Sequence, residues 1–304
     1  MHLHTRFCVL IAGLAAIASV SWADDIAQAG RAVLDKNKPA VVTLKIVIKQ
    51  QFSMPGSGSM DEESTAEVTG TVVDPSGLTV TALSQTDPTA MYESMMSGMG
   101  DMMGGGQMQF KSVISDLKIL LEDGTEIPGK VVLRDKDLDL LFVRPEEKPA
   151  TPMAFVDLSG AGKPEMLDQI VILNRLGQVA FRAYSAGVAR VEAVVTRPRT
   201  LYIPGGEQTL SGLGSPVFTV DGGPVGLLVL RSSSGGSGSP MSFMSNFSDN
   251  MIAVIVPSDD IAEVAAQAPE KAEEVPAEEA PAEESADAAP AEGDAPAAEG
   301  AEKP

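Results

Sequence analysis

Short runs of apolar and β-branched residues, each closed by Gly, Pro or Asp, set the pattern of most of this chain. Val41 to Ile48 is β-branched and partly alternating, which predicts a strand. Glu67–Val73 and Leu78–Leu83 flank Asp74-Pro75-Ser76-Gly77, and Val113–Leu121 and Ile127–Leu133 flank Glu122-Asp123-Gly124-Thr125. Both spacings predict hairpins. Leu138–Val143 completes six strands. After a linker at Pro145–Pro152, six more runs follow: Gln169–Leu173, Ala180–Val195, Thr200–Ile203, Pro216–Val220, Val225–Leu230 and Ile252–Val256. Gln50–Ser64 and Asp87–Gln109 read as polar breaks. A short helix is expected over Asp25–Asn37, with Ile26, Ala29 and Val33 on one face. Another is expected over Ile261–Gln267, with Ser258 as N-cap and carboxylates in the first turn. Many short strands in two halves predict an all-β barrel or sandwich architecture.

Charge changes the picture at the C-terminus. The 304 residues include 42 acids and 22 bases, a net charge of −20. From Ile261 onward there are 13 acids and two bases. Residues 268–304 are almost wholly Ala, Glu, Pro, Ser, Asp and Gly, too poor in apolar side chains to offset the entropy of ordering them. They read as a disordered acidic tail. The acidic balance also excludes nucleic acid as a partner.

The rarest residues exclude most catalytic chemistry. His2, His4, Cys8 and Trp22 are the chain's only His, Cys and Trp, and all lie in the first 22 residues. That stretch has Arg6, an apolar run from Phe7 to Val20, and small residues at Ser21 and Ala23, the pattern of a signal peptide over residues 1–23. The run is too short to span a bilayer, and no later one is longer. Cleavage after Ala23 leaves a chain without His or Cys. Such a chain has no Ser-His-Asp triad, no Cys-His pair, no disulfide and no usual zinc site. No cofactor is expected, and the protein is expected to be exported, to the periplasm or beyond.

Three segments, in order, carry a resemblance. Thr69-Gly70-Thr71-Val72-Val73-Asp74-Pro75-Ser76-Gly77-Leu78-Thr79-Val80-Thr81 resembles the strand-turn-strand that leads to the catalytic histidine of HtrA/Deg-type trypsin-like serine proteases. Leu121-Glu122-Asp123-Gly124-Thr125 through Arg134–Val143 is similar to the hairpin and strand that carry the catalytic aspartate. Ser211-Gly212-Leu213-Gly214-Ser215-Pro216-Val217, with Asp221-Gly222-Gly223-Pro224-Val225-Gly226, resembles the nucleophile loop and the hairpin after it. Ile252–Ser258 is similar to the last strand and terminal helix. The resemblance covers about residues 28–266. It implies two six-stranded antiparallel β-barrels, over residues 38–147 and, with the final helix, 148–267. The N-terminal helix occupies 24–37. The peptide-binding PDZ domain common in the family is expected to be missing.

In this register the histidine falls at Ser84, the aspartate at Asp139 and the serine at Leu213. The oxyanion loop falls at Ser211, Gly212, Gly214 and Ser215. Leucine has no nucleophilic atom, and a hydroxyl is a poor base at neutral pH. The resemblance therefore implies a pseudoprotease with no catalytic residues. A shift of register that brings Ser211 or Ser215 forward still creates no histidine. A Ser-Lys dyad needs Lys111 or Lys118, and neither lies near position 84 in the pattern.

The segment Met91–Met103, with Met108, holds seven of the 15 methionines. Met91, Met95, Met99 and Met102 share one face of a helix that the nearby glycines weaken. A Met face packed on the barrel is the plain reading. Met91, Met95, Met96, Met99, Met102 and Met103 also suit an adaptable partner-binding surface. Met95, Met99 and Met102 are candidate Cu(I) thioether ligands. Ser232–Ser242 reads as a Gly/Ser-rich hairpin tip. Lys45, Lys49, Arg175, Arg182, Arg190, Arg197 and Arg199 read as solvent-facing positions. The function expected is an exported, inactive protease-like protein that binds a peptide or protein partner through the inter-barrel cleft or the Met-rich loop. A weak serine endopeptidase and an envelope scaffold with a spacer tail are the alternatives. Trimers are common among the relatives, and the sequence leaves self-association open.

Overall fold

The computed structural model describes residues 25–54, 58–87, 89, 109–206, 212–232 and 251–270. Residues 1–24, where a signal peptide is expected, the Met-rich segment, Ser211, most of the Gly/Ser-rich loop and nearly all of the acidic C-terminal segment lie outside the described residues.

Helix α1 covers residues 25–37 and buries Val33. Six strands follow: β1 (Val41–Met54), β2 (Gly58–Val72), β3 (Thr79–Ala82), β4 (Gln109–Leu120), β5 (Glu126–Asp135) and β6 (Leu140–Pro145). They close antiparallel in the order β1-β2-β3-β6-β5-β4. The second set is β7 (Gln169–Arg175), β8 (Tyr184–Val195), β9 (Leu201–Pro204), β10 (Pro216–Thr219), β11 (Pro224–Ser232) and β12 (Met251–Pro257). It closes in the corresponding order, β7-β8-β9-β12-β11-β10. Helix α2 (Ser258–Ala265) packs back on the second barrel through Ile261 and Val264. This is the double antiparallel barrel architecture of trypsin-like proteins, with two short helices.

Alternation explains the first barrel's core. Leu44, Ile46 and Ile48 of β1 point inward, together with Leu117 and Ile119 of β4. The same cluster takes in Val171, Leu173 and Phe218 of the second barrel. A second cluster joins Val80, Ala82, Leu138 and Leu140 to Leu213, Leu227, Leu228 and Val229. The two barrels thus share apolar surface.

The Asp74 hairpin is held by local polar chemistry. Its carboxylate accepts from Ser76 N at 2.7 Å, Ser76 Oγ at 2.6 Å and Leu78 N at 3.1 Å. Arg144 reaches the same turn, 3.2 Å from Asp74 and 2.6 Å from Ser76 Oγ. Burial opposes ionisation of Asp74, but these hydrogen bonds and Arg144 together hold its pKa below the ordinary value.

Three expectations need correction. Gln50–Ser64 is not a polar loop: described residues on both sides of 55–57 continue β1 and β2 as a long paired arm. Ser258 does not cap α2. Pro257 holds the N-cap position, and Ser258 is buried with Oγ donating to Pro224 O at 3.0 Å, so the hydroxyl ties the helix to β11 instead. Arg175 is not solvent-facing. It is buried at the barrel junction, where Nη1 and Nη2 donate to Leu120 O and Leu121 O at 2.7 and 2.8 Å. The guanidinium thus ties the end of β4 in the first barrel to β7 in the second. Arg182 likewise turns back onto the first barrel and binds Glu67 with both Nε and Nη2. That ion pair lowers the Glu67 pKa.

Candidate functional site

The candidate site lies where β3, β6 and β11 converge. Chain exit from β3 is a single turn of 3-10 helix, Leu83–Gln85, anchored by Leu83 N on Asp139 O at 2.9 Å. This turn carries Ser84. Asp139 precedes β6 between the buried Leu138 and Leu140 and has φ +58°. Aspartate is among the residues that tolerate this left-handed conformation, at some cost in strain. The cost is offset because the carboxylate receives three donors: Ser84 N at 2.7 Å, Ser84 Oγ at 2.8 Å and Leu230 N at 2.9 Å.

The structure therefore brings Ser84 and Asp139 together, although 55 residues separate them. Both carboxylate oxygens are engaged, one by Ser84 N and the other by Ser84 Oγ and Leu230 N. Leu230 belongs to β11, so Asp139 links the two barrels. Burial raises the Asp139 pKa, and the three hydrogen bonds and the charge of Arg231 oppose that rise only in part.

Gly212-Leu213-Gly214-Ser215 forms a tight turn, with Ser215 N donating to Gly212 O at 3.0 Å. It is pinned to β11 by Gly214 N on Leu228 O at 2.7 Å and Leu228 N on Ser215 O at 3.0 Å. Thr71 Oγ1 of the first barrel donates to Gly214 O at 3.2 Å. Gly214 has φ +78°, and a Cβ there would lie 2.3 Å from Thr69 O. Only glycine permits that approach. Leu213 is 7% exposed and joins the apolar cluster with Ala82, Leu138, Leu140 and Leu228.

No family model matches this chain, and comparison with curated proteins finds no relative. What the site can do must be read from its own residues.

Ser84 Oγ donates to a carboxylate, and no imidazole lies beside it among the described residues. Leu213 presents methyl groups. Ser215 is fully buried, and its Oγ has no hydrogen-bond partner among the described residues. The lysines are elsewhere: Lys118 Nζ lies 3.3 Å from Glu126, and Lys111 stands opposite Gln51 on the arm. Ser211 and Met91, Met95, Met96, Met99, Met102 and Met103 lie outside the described residues. Among the described residues, no group of three or more His, Cys, Asp or Glu could hold a metal ion, and no helix is long and apolar enough to cross a membrane.

The third donor to Asp139 had no sequence signal, because it is a backbone N–H whose position depends on how the barrels dock. Arg175 also gave none. An arginine in a polar-flanked strand looks the same whether it meets water or a neighbouring barrel's carbonyls.

Proposed function

We propose that this chain is a non-catalytic, exported member of the HtrA/Deg-type trypsin-like family that binds an extended peptide or protein segment between its barrels. The observation that carries this reading is the state of the three positions where the family's triad falls. Asp139 accepts three hydrogen bonds from Ser84 and Leu230, and Leu213 is packed into the inter-barrel core. An aspartate with no imidazole to orient takes no part in a Ser-His-Asp mechanism, and a leucine in the nucleophile loop forms no acyl intermediate.

Binding is supported by the end of β11. β10 covers β11 only as far as Leu227, and the Gly214–Ser215 turn bonds Leu228. Leu230 N meets Asp139. Beyond Leu230, among the described residues, Arg231 and Ser232 pair with β12 on one side and with no strand on the other. An extended peptide can add to such an edge through its main chain.

The test is incubation of the full chain with unfolded casein. The expected result is a complex on size-exclusion chromatography with casein intact by mass spectrometry. Casein fragments, or no association at all, overturn the proposal.

A further inference from the structure

A second surface lies far from Asp139, on the arm that extends the first barrel. β2 pairs with β1 along its whole length, from Val41↔Thr71 to Met54↔Gly58, without a register shift. On its other side β2 pairs with β3 only at Thr71 and Val72. Among the described residues, no strand covers the outer edge of β2 from Met60 to Ala66.

Parity decides which backbone groups are offered there. Val73 N donates to Leu78 O, and Thr69 O accepts from Thr81 Oγ1, both on the β3 side. Alternate residues of a strand aim their N–H and C=O groups to the same side. Asp61, Glu63 and Thr65 therefore present theirs outward, while the even-numbered residues bond to β1.

Natural sheets usually blunt such an edge with charged side chains, lysine above all, or with proline or a bulge. Gly58–Ala66 has no lysine, proline or bulge, and its charge is the acidic run Asp61-Glu62-Glu63, all exposed. Asp61 and Glu63 also line a groove of about 460 Å³, together with Lys49, Gln51 and Lys111. Their neutralisation is partial. Gln51 Nε2 donates to Asp61 at 3.1 Å, Lys49 stands 3.8 Å from Glu63, and Glu62 has no side-chain partner among the described residues. The edge therefore combines unused main-chain bonding with negative charge. A second copy of this edge would meet its own charge.

We propose that the outer edge of β2 takes an extended basic segment of a partner protein by strand addition. The partner's main chain bonds to Asp61, Glu63 and Thr65, and Lys or Arg at every second position lies beside Asp61 and Glu63. This site is separate from the inter-barrel one and does not rest on the function proposed above.

The probe is a dye-labelled Lys-Val-Lys-Val-Lys-Val-Lys peptide, followed by fluorescence anisotropy with the full chain. Binding is expected at low salt, with weakening as salt rises. Thr65→Pro removes one outward N–H, keeps every acid and leaves the β1 ladder intact, and it should weaken binding about tenfold. Asp61→Asn with Glu63→Gln keeps the backbone and should also weaken binding about tenfold, deciding the matter if Thr65→Pro fails to fold. Adsorption to the acidic tail would be unchanged in both variants. Absence of binding, equal binding by the folded variants, or concentration-dependent self-association lost in Thr65→Pro overturns the proposal.

Discussion

The Ser84 hydroxyl donates to the Asp139 carboxylate across 2.8 Å, joining the end of β3 to the start of β6. The same carboxylate reaches Leu230 of the second barrel. In this protein the aspartate serves as a structural clamp, and its environment makes the clamp sensitive to pH.

Ser84→Ala removes a charge-assisted hydrogen bond and should cost about 1.5–3 kcal/mol at neutral pH. With one donor fewer to the ionised form, the Asp139 pKa should rise further. Urea unfolding of the variant and the parent at neutral and acid pH checks this, and the difference should shrink as Asp139 becomes protonated.

The acid limb of the stability curve should contain two opposed contributions. Asp139 has a raised pKa, so its contribution is fully present below the unfolded value of 3.8 and is lost as pH rises through its folded value. Glu67 and Asp74 have lowered pKa values, so theirs are present above the unfolded values and are lost as pH falls through the folded ones. Glu67→Gln should flatten the loss of stability on acidification. Asp139→Asn should remove the term of opposite sign. Urea midpoints measured from pH 7 to pH 3 distinguish them.

The approach of Gly214 to β2 sets a further expectation. A Cβ there meets Thr69 O at 2.3 Å and Thr81 Oγ1 at 2.6 Å, whereas Gly124, at φ +86°, has nothing within 4 Å. Gly124→Ala should cost about 1 kcal/mol through backbone strain alone. Gly214→Ala should cost about 3 kcal/mol or more, because a barrel-barrel contact must also open. Thermal unfolding of both variants gives the comparison.

Arg175 offers a test of barrel coupling. Its guanidinium bonds Leu120 O and Leu121 O and stacks 5.3 Å from the Tyr184 ring centroid. Arg175→Lys cannot bond both carbonyls in that planar geometry and stack as well. It should destabilise the chain by about 2 kcal/mol. Limited proteolysis should then cut faster at the linker after Pro145.

These features were unequally legible in the sequence. All twelve strands appear as apolar, mostly β-branched runs between turn residues, some alternating as in β1 and others buried on both faces as in β3 and β6. The arm was hidden. Lys49 faces Glu63 and Gln51 faces Asp61 across the β1–β2 pair, so charged and amide side chains hold those strands and no apolar period marks them. The meeting of Ser84 and Asp139 could be anticipated from the order of the resembling segments. Their link to Leu230 could not, since a backbone donor leaves no residue signature.

The nucleophile position gives one more expectation. Leu213→Ser removes a buried side chain and should cost about 3 kcal/mol. It should produce no hydrolysis of a peptide ester, because Ser84 cannot take the proton. Turnover by this single variant would show a base elsewhere in the site.

The most direct test of the central claim is treatment of the unmodified chain with a fluorophosphonate probe, followed by peptide mass spectrometry. No phosphonylated residue is expected, because the described site holds a donor serine, a carboxylate already bound by three donors and a buried leucine. A stoichiometric adduct on any serine of the chain, with Ser215 and Ser211 the nearest in sequence to Leu213, would contradict it and identify a working nucleophile.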